Sequence, residues 1–173
     1  MASSATAATS KSSGEIQAVV FKLGNEIFGV DVHQVREIIK MREYTRIPNT
    51  PPYICGVINL RGQITTIIDL RKVFGMNSTK LSSDSRIIIL DIKDTNTGVI
   101  VDSVLGVTRI PRENIDPPPK ITQTNALEFI TGIAKQENNL IILLDLEKLL
   151  EKGLKEAGVI LSEIVSSTTQ LKQ

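Results

Sequence analysis

Residues 53–74, YICGVINLRGQITTIIDLRKVF, align without a gap on residues 129–150, FITGIAKQENNLIILLDLEKLL. At this shift of 76, Ile54, Gly56, Asp69, Leu70 and Lys72 recur as Ile130, Gly132, Asp145, Leu146 and Lys148. Upstream, a shift of 69 lays residues 16–39 over 85–108, so that Gly29, Val30, Val32 and Val35 fall on Gly98, Val99, Val101 and Val104. The seven positions separating the two shifts lie in the connection that carries Asp116-Pro117-Pro118-Pro119. Self-similarity of this kind makes the chain two copies of one unit.

Each copy reads as β structure. The chain breaks into short β-branched apolar runs, among them QAVVFKL (17–23), YICGVINL (53–60), RIIILDI (86–92) and NLIILLDL (139–146). Runs of this length bounded by Gly, Pro, Asn or Asp are strands. Turns are predicted at LGNE (23–26), LRGQ (60–63), KDTNTG (93–98) and QENN (136–139). About five strands in each copy suit a small barrel, whose closure removes the exposed edges of an open sheet. The expected order is a flexible tail over 1–14, a first barrel over 15–76, a connector over 77–84 and a second barrel over 85–150. Leu146, Leu149, Leu150, Leu154, Ala157 and Leu161 then repeat at helical spacing, predicting an amphipathic helix and tail over 151–173.

Composition narrows the function. At 173 residues the chain can bury roughly 70% of its unfolded surface, enough for a core without staples. Twenty Lys and Arg against 19 Asp and Glu leave a net charge of +1, which gives no electrostatic warrant for nucleic acid or an anionic membrane. No Trp, two Tyr and four Phe give few platforms for stacking bases. One cysteine, Cys55, excludes an internal disulfide, and no run approaches the roughly 20 apolar residues of a membrane span. A cytosolic protein is expected, with partners found by shape and apolar contact.

Catalytic equipment is sparse. The phosphate-loop, dinucleotide, zinc-protease and serine-hydrolase motifs are all missing. His33 is the only histidine and reads as a solvated or packed residue; Cys55, matched by Thr131 in the other copy, reads as an inert, half-buried thiol. Asp69 and Asp145 each precede a D-L-x-K segment and read as helix N-caps. Gly56 and Gly132, inside strands, mark a bulge or a close backbone approach. The copies part at the following turn, where Asn59-Leu60-Arg61-Gly62 faces Lys135-Gln136-Glu137-Asn138. Symmetry cannot account for Arg61. Its guanidinium can fork two hydrogen bonds to a carboxylate on a partner or on its own chain, where Glu37 is the nearest upstream candidate.

At these residues the sequence resembles the CheW family of chemotaxis adaptors. The resemblance runs through FKLGNEIFGVDV (21–32), VREII (35–39), TRIPNTPPYICGVINLRGQI (45–64), IIDLR (67–71), GVIVDSVLGV (98–107), FITGIA (129–134) and LIILLDLEKLL (140–150). It spans roughly residues 15–150 and implies a mainly β CheW-like domain of two SH3-like five-stranded barrels about a pseudo-twofold, with a groove between them. It further implies a non-catalytic scaffold without cofactor or metal, linking the cytoplasmic tips of chemoreceptors to the regulatory domain of the histidine kinase CheA. By motif position the receptor-facing residues would be Val35, Glu37, Gly56 and Arg61 in the first copy and Gly98, Val104 and Val107 in the second. Gly56, Gly98 and Val104 also suit a core role. Val35, Val104 and Val107 would floor a groove for a helical hairpin, with Glu37 and Arg61 fixing register at its rim. The kinase-facing surface has no comparable motif. A pair of nucleic-acid-binding barrels, or a small-molecule site between the barrels, is the alternative; charge and aromatic content weigh against the first, and the lack of a converging titratable pair against the second.

Overall fold

The computed structural model describes residues 14–77, 81–92, 94–118 and 129–153. These form strands β1 (Glu15–Leu23), β2 (Glu26–Asp31), β3 (Val35–Lys40), β4 (Ile54–Leu60), β5 (Gln63–Asp69), β6 (Arg86–Ile92), β7 (Thr95–Val101), β8 (Ser103–Pro111), β9 (Ile115–Asp116), β10 (Ile130–Gln136) and β11 (Asn139–Leu144). Short helical turns α1 (Leu70–Val73) and α2 (Leu146–Lys148) follow β5 and β11. Among the described residues no helix is long and apolar enough to cross a membrane.

The strands form two sheets, ordered β8-β1-β2-β11-β10-β9 and β3-β6-β7-β5-β4. Under the repeat, β1, β2, β3, β4 and β5 correspond to β6, β7, β8, β10 and β11, and this mapping turns the first five strands of one sheet into the other. The bulges obey it too: β4 slips against β5 between Ile54 and Gly56, and β10 against β11 between Ile130 and Gly132. The pseudo-twofold and the two barrels are present, with β9 as an addition to one.

The repeat boundary is not the sheet boundary, which corrects the expectation that residues 15–76 and 85–150 each close a barrel of their own. Each sheet takes a hairpin from one copy and three strands from the other, with β9 as a fourth in the six-stranded sheet. Connection length explains the exchange. For β3 to take the place beside β1 that β8 holds, it would have to run parallel to β2, returning over the length of that six-residue strand, about 20 Å. The link from β2 to β3 is Val32–Gln34, three residues that reach at most about 10 Å. Residue 102 alone separates β7 from β8. Each chain segment therefore crosses into the opposite sheet.

Burial on both faces explains why the strands read as nearly continuous apolar runs. Along β1, Ala18 and Val20 fill one barrel while Val19, Phe21 and Leu23 enter a core shared by the two; along β6, Ile87 and Ile89 fill the other barrel while Ile88 and Leu90 enter the shared core. Phe28 stacks on Phe21 and Phe74 within that shared layer, at centroid distances of 5.9 and 5.6 Å.

Both crossovers are pinned by side chains, with different chemistry. Gln34 donates to Asp145 Oδ1 (2.8 Å) and accepts from the Leu146 backbone N–H (3.0 Å). Asp102 accepts from Arg71 of α1 and, at 2.7 Å, from the N–H of Gly24 in the β1–β2 turn.

Local expectations fare unevenly. Asp69 and Asp145 cap α1 and α2, accepting from Arg71 N (3.0 Å) and Lys148 N (3.1 Å). His33 is exposed and bonded to Asp31 (2.7 Å). The segment KDTNTG is not a turn throughout, because β7 begins at Thr95 and Asn96 is buried with both ends of its amide hydrogen-bonded. The predicted C-terminal helix lies outside the described residues from 154 onward; the last described segment, Leu149–Gly153, is a single π turn.

Candidate partner-binding site

The hairpin of β4 and β5 turns through Arg61 and Gly62, at φ of 51° and 86°, between the paired residues Leu60 and Gln63. Two positive φ values are what a two-residue hairpin loop requires, and the Asn59 side chain steadies this one by accepting from Gly62 N at 2.7 Å. The turn carries the Arg61 guanidinium to Glu37. Nη1 donates to Oε2 at 2.6 Å and Nη2 to Oε1 at 2.7 Å, so the fork is bidentate and falls within the chain. Arg61 is 69% exposed and Glu37 25%. The Arg61 hydrogen bond, with the guanidinium's charge, holds the Glu37 carboxyl below the ordinary glutamate value. In sheet order β3 and β4 are the two ends, so the pair clasps one edge of the barrel to the turn at the other.

A second polar run lies beside this clasp. Arg36, adjacent to Glu37, is the residue left without a partner by the β3–β6 bulge. Its Nη1 reaches Asp91 Oδ2 (3.2 Å) and Asn96 Oδ1 (3.1 Å), and Asn96 Nδ2 donates to Gln63 Oε1 (2.6 Å). Nothing in the sequence reading pointed to Arg36, Asn96 or Gln63. The available signal was that Asn96 corresponds to Ile27 under the repeat, a polar residue opposite an apolar one.

The other candidates divide by burial. Gly56 is buried, and a Cβ there would stand 2.1 Å from the Thr45 carbonyl oxygen. Gly98 is buried in its barrel, where a Cβ would stand 2.7 Å from Ile87 and 2.9 Å from Ile67. Gly56 admits a close backbone, Gly98 leaves room for the isoleucines of its barrel, and neither presents a side chain. Val35 and Val104 occupy equivalent places, each just before a bulge, and pack against the shared core. Val107 is exposed on β8 together with Leu105. Val35, Glu37, Gly56, Arg61 and Gly98 thus belong to one sheet, and Val104 and Val107 to the edge strand of the other.

A cleft of about 530 Å³ lies beside the loop before β4, lined by Tyr44, Arg46, Ile47, Cys55 and Lys72 among others. Burial pushes the Cys55 thiol up from its ordinary value, and its hydrogen-bond partner Tyr44 is raised mainly by burial as well. A thiol so held is a poor nucleophile.

The family model of the CheW-like domain matches residues 17–153. The chain belongs to the CheW family. It is similar to the chemotaxis protein CheW of Klebsiella aerogenes, at 40% identity over 147 residues, covering 83% of this chain and 89% of the relative. The chemotaxis protein CheW of Bacillus subtilis is 36% identical over 141 residues, covering 82% and 90%. Among solved structures, that of the scaffolding protein TtCheW from Thermoanaerobacter tengcongensis shares 44% identity at a TM-score of 0.72, covering 80% of this chain and 94% of that one. As a CheW-family protein the chain has the role of an adaptor in chemotaxis. The two SH3-like barrels and the shared core are its scaffold, on which the Glu37–Arg61 clasp occurs in one copy only.

Proposed function

We propose that this adaptor couples the cytoplasmic tips of chemoreceptors to the regulatory domain of the histidine kinase CheA, in the cytoplasm at receptor arrays, without catalysing a reaction. The observation that carries the reading, within the family, is the solvent-facing Glu37–Arg61 fork on a barrel whose counterpart has Gly106 and Glu137 at the matching positions. Two of the five guanidinium donors are used, so Arg61 retains donors for a receptor while its orientation is already fixed. Val107 and Leu105, each more than half exposed, supply apolar area, and burying what remains of each contributes about 1 kcal/mol. Val35 and Val104 complete the apolar part of the receptor surface, and Gly56 and Gly98 act on it through the fold. Modest affinity at each contact becomes firm coupling once receptor, adaptor and kinase are arrayed together.

The test is kinase autophosphorylation in receptor-containing membranes with and without this chain. Coupling predicts a kinase activity that depends on the chain and responds to receptor ligand. Equal activity and responsiveness in its absence would refute the proposal. Sedimentation with receptor fragments and with the kinase, separately and together, assigns each contact.

A further inference from the structure

The polar groups around Glu37 and Arg61 form a closed circuit. The backbone joins Glu37 to Arg36 on β3, whose guanidinium donates both to Asp91 on β6 and to Asn96 on β7; Asn96 donates to Gln63 on β5, which the backbone joins through Gly62 to Arg61 and so to the Glu37 carboxylate. These strands are adjacent in the order β3-β6-β7-β5, so the circuit spans the sheet from its edge strand β3 to the β4–β5 turn. Its inner member is Asn96, 7% exposed, with its amide oxygen given to Arg36 and its amide nitrogen to Gln63. A buried amide satisfied at both ends fixes the distance between the groups it joins, since losing either bond leaves a buried polar atom without a partner.

The second barrel is the internal control. Under the repeat, Arg36, Glu37, Asp91, Asn96, Gln63 and Arg61 become Leu105, Gly106, Lys22, Ile27, Asn139 and Glu137. That barrel folds with the same strand order and the same bulges, with an apolar Ile27 where Asn96 stands. The fold therefore does not require the circuit.

We propose that Asn96 is a positioning residue, holding Arg36 and Gln63 at the separation that keeps Glu37 and Arg61 clasped in the geometry that meets the receptor. The clasp has one end on an edge strand and the other on a two-residue turn, and Asn96 ties both supports to the middle of the sheet. The receptor part of this inference rests on the function proposed above; the positioning part does not.

The experiment uses the full chain with two neutral substitutions, Asn96→Ile, which installs the residue of the matching position, and Gln63→Ala, an exposed site that tests the same link if the first variant fails to fold. Carbon-detected NMR follows the titration of the Glu37 carboxyl, whose neighbours Arg61 and Arg36 keep their charges in both variants. The expected result is a Glu37 titration that moves up toward the ordinary glutamate value in each folded variant, with affinity for a receptor-tip hairpin falling about threefold to tenfold. In an Arg61→Ala background Asn96→Ile then produces no further loss of affinity, a non-additivity that a general loss of stability would not give. If the Glu37 titration is unchanged in folded Gln63→Ala and in folded Asn96→Ile, the positioning role is wrong. If it moves while neither these variants nor Arg61→Ala alter receptor affinity, positioning stands and the receptor assignment of the clasp falls.

Discussion

Substituting Gly56 by alanine tests how the fold and the site depend on one another. The added Cβ would lie 2.1 Å from the carbonyl oxygen and 2.7 Å from the carbonyl carbon of Thr45, both backbone atoms. That carbonyl is held by a reciprocal pair of hydrogen bonds, Thr45 N to Val57 O at 2.8 Å and Val57 N to Thr45 O at 2.9 Å. Relieving the contact requires about 1 Å of movement and breaks the pair, at about 1 kcal/mol for each bond, in addition to overpacking strain of about 1–3 kcal/mol. A loss of about 3–5 kcal/mol follows, which lowers the melting temperature by roughly 10 °C in a domain of this size. The matching substitution at Gly132 meets the Ile115 methyl at 2.6 Å and a backbone atom, the Asp116 oxygen, only at 3.0 Å, so it costs less. Gly62→Ala, with nothing within 4 Å of the new Cβ, costs only the strain of its positive φ, about 1–2 kcal/mol. Urea denaturation followed by circular dichroism orders the three, and receptor binding by Gly56→Ala is expected to fall with its folded fraction. A Gly56→Ala protein with the parent's urea midpoint would refute the steric account and return Gly56 to the list of direct contacts.

Three further outcomes are expected. Arg61→Ala weakens binding of a receptor hairpin while the melting temperature stays within about 2 °C of the parent, measured by calorimetry; a large fall would make Arg61 structural. Because the folded Glu37 carboxyl sits below the ordinary value of 4.5, its link to Arg61 is intact above that value and lost as pH falls through the lower folded one. Receptor affinity carried by the clasp should therefore hold from neutral pH down to 4.5 and decline only below it, and Glu37→Gln should abolish that decline. Cys55, raised by burial, should react with iodoacetamide more slowly at neutral pH than a free thiol, and denaturant should restore the ordinary rate; fast labelling of the folded chain would show the thiol to be open.

Features decided within a few residues were readable from the sequence. Asp69 and Asp145 cap their helical turns because a carboxylate followed by a short helix bonds its own neighbours, and Arg61 drew notice because its counterpart, Glu137, carries the opposite charge. Pairing with Glu37 was legible as one of two options, and only the shape of the turn settled that the fork closes within the chain. The segment Lys93 to Gly98 misled because its residues are turn formers, yet Asn96 finds Arg36 and Gln63 to satisfy it inside the sheet. Gly56 announced a close approach without revealing Thr45 as the neighbour, eleven residues upstream across an isolated bridge.

The sequence by itself determined a duplicated β unit, the irregularities at Gly56 and Gly132, the caps at Asp69 and Asp145, and the one turn where the copies diverge. Tertiary structure alone decided which strands share a sheet. Two equivalent copies offer every hairpin two equivalent sets of partners, and β1 and β6, buried on both faces, carry no alternation to choose between them. The choice fell to reach: three residues after β2 and one after β7 cannot carry the chain back along the strand it has just completed, so each copy is built into the other.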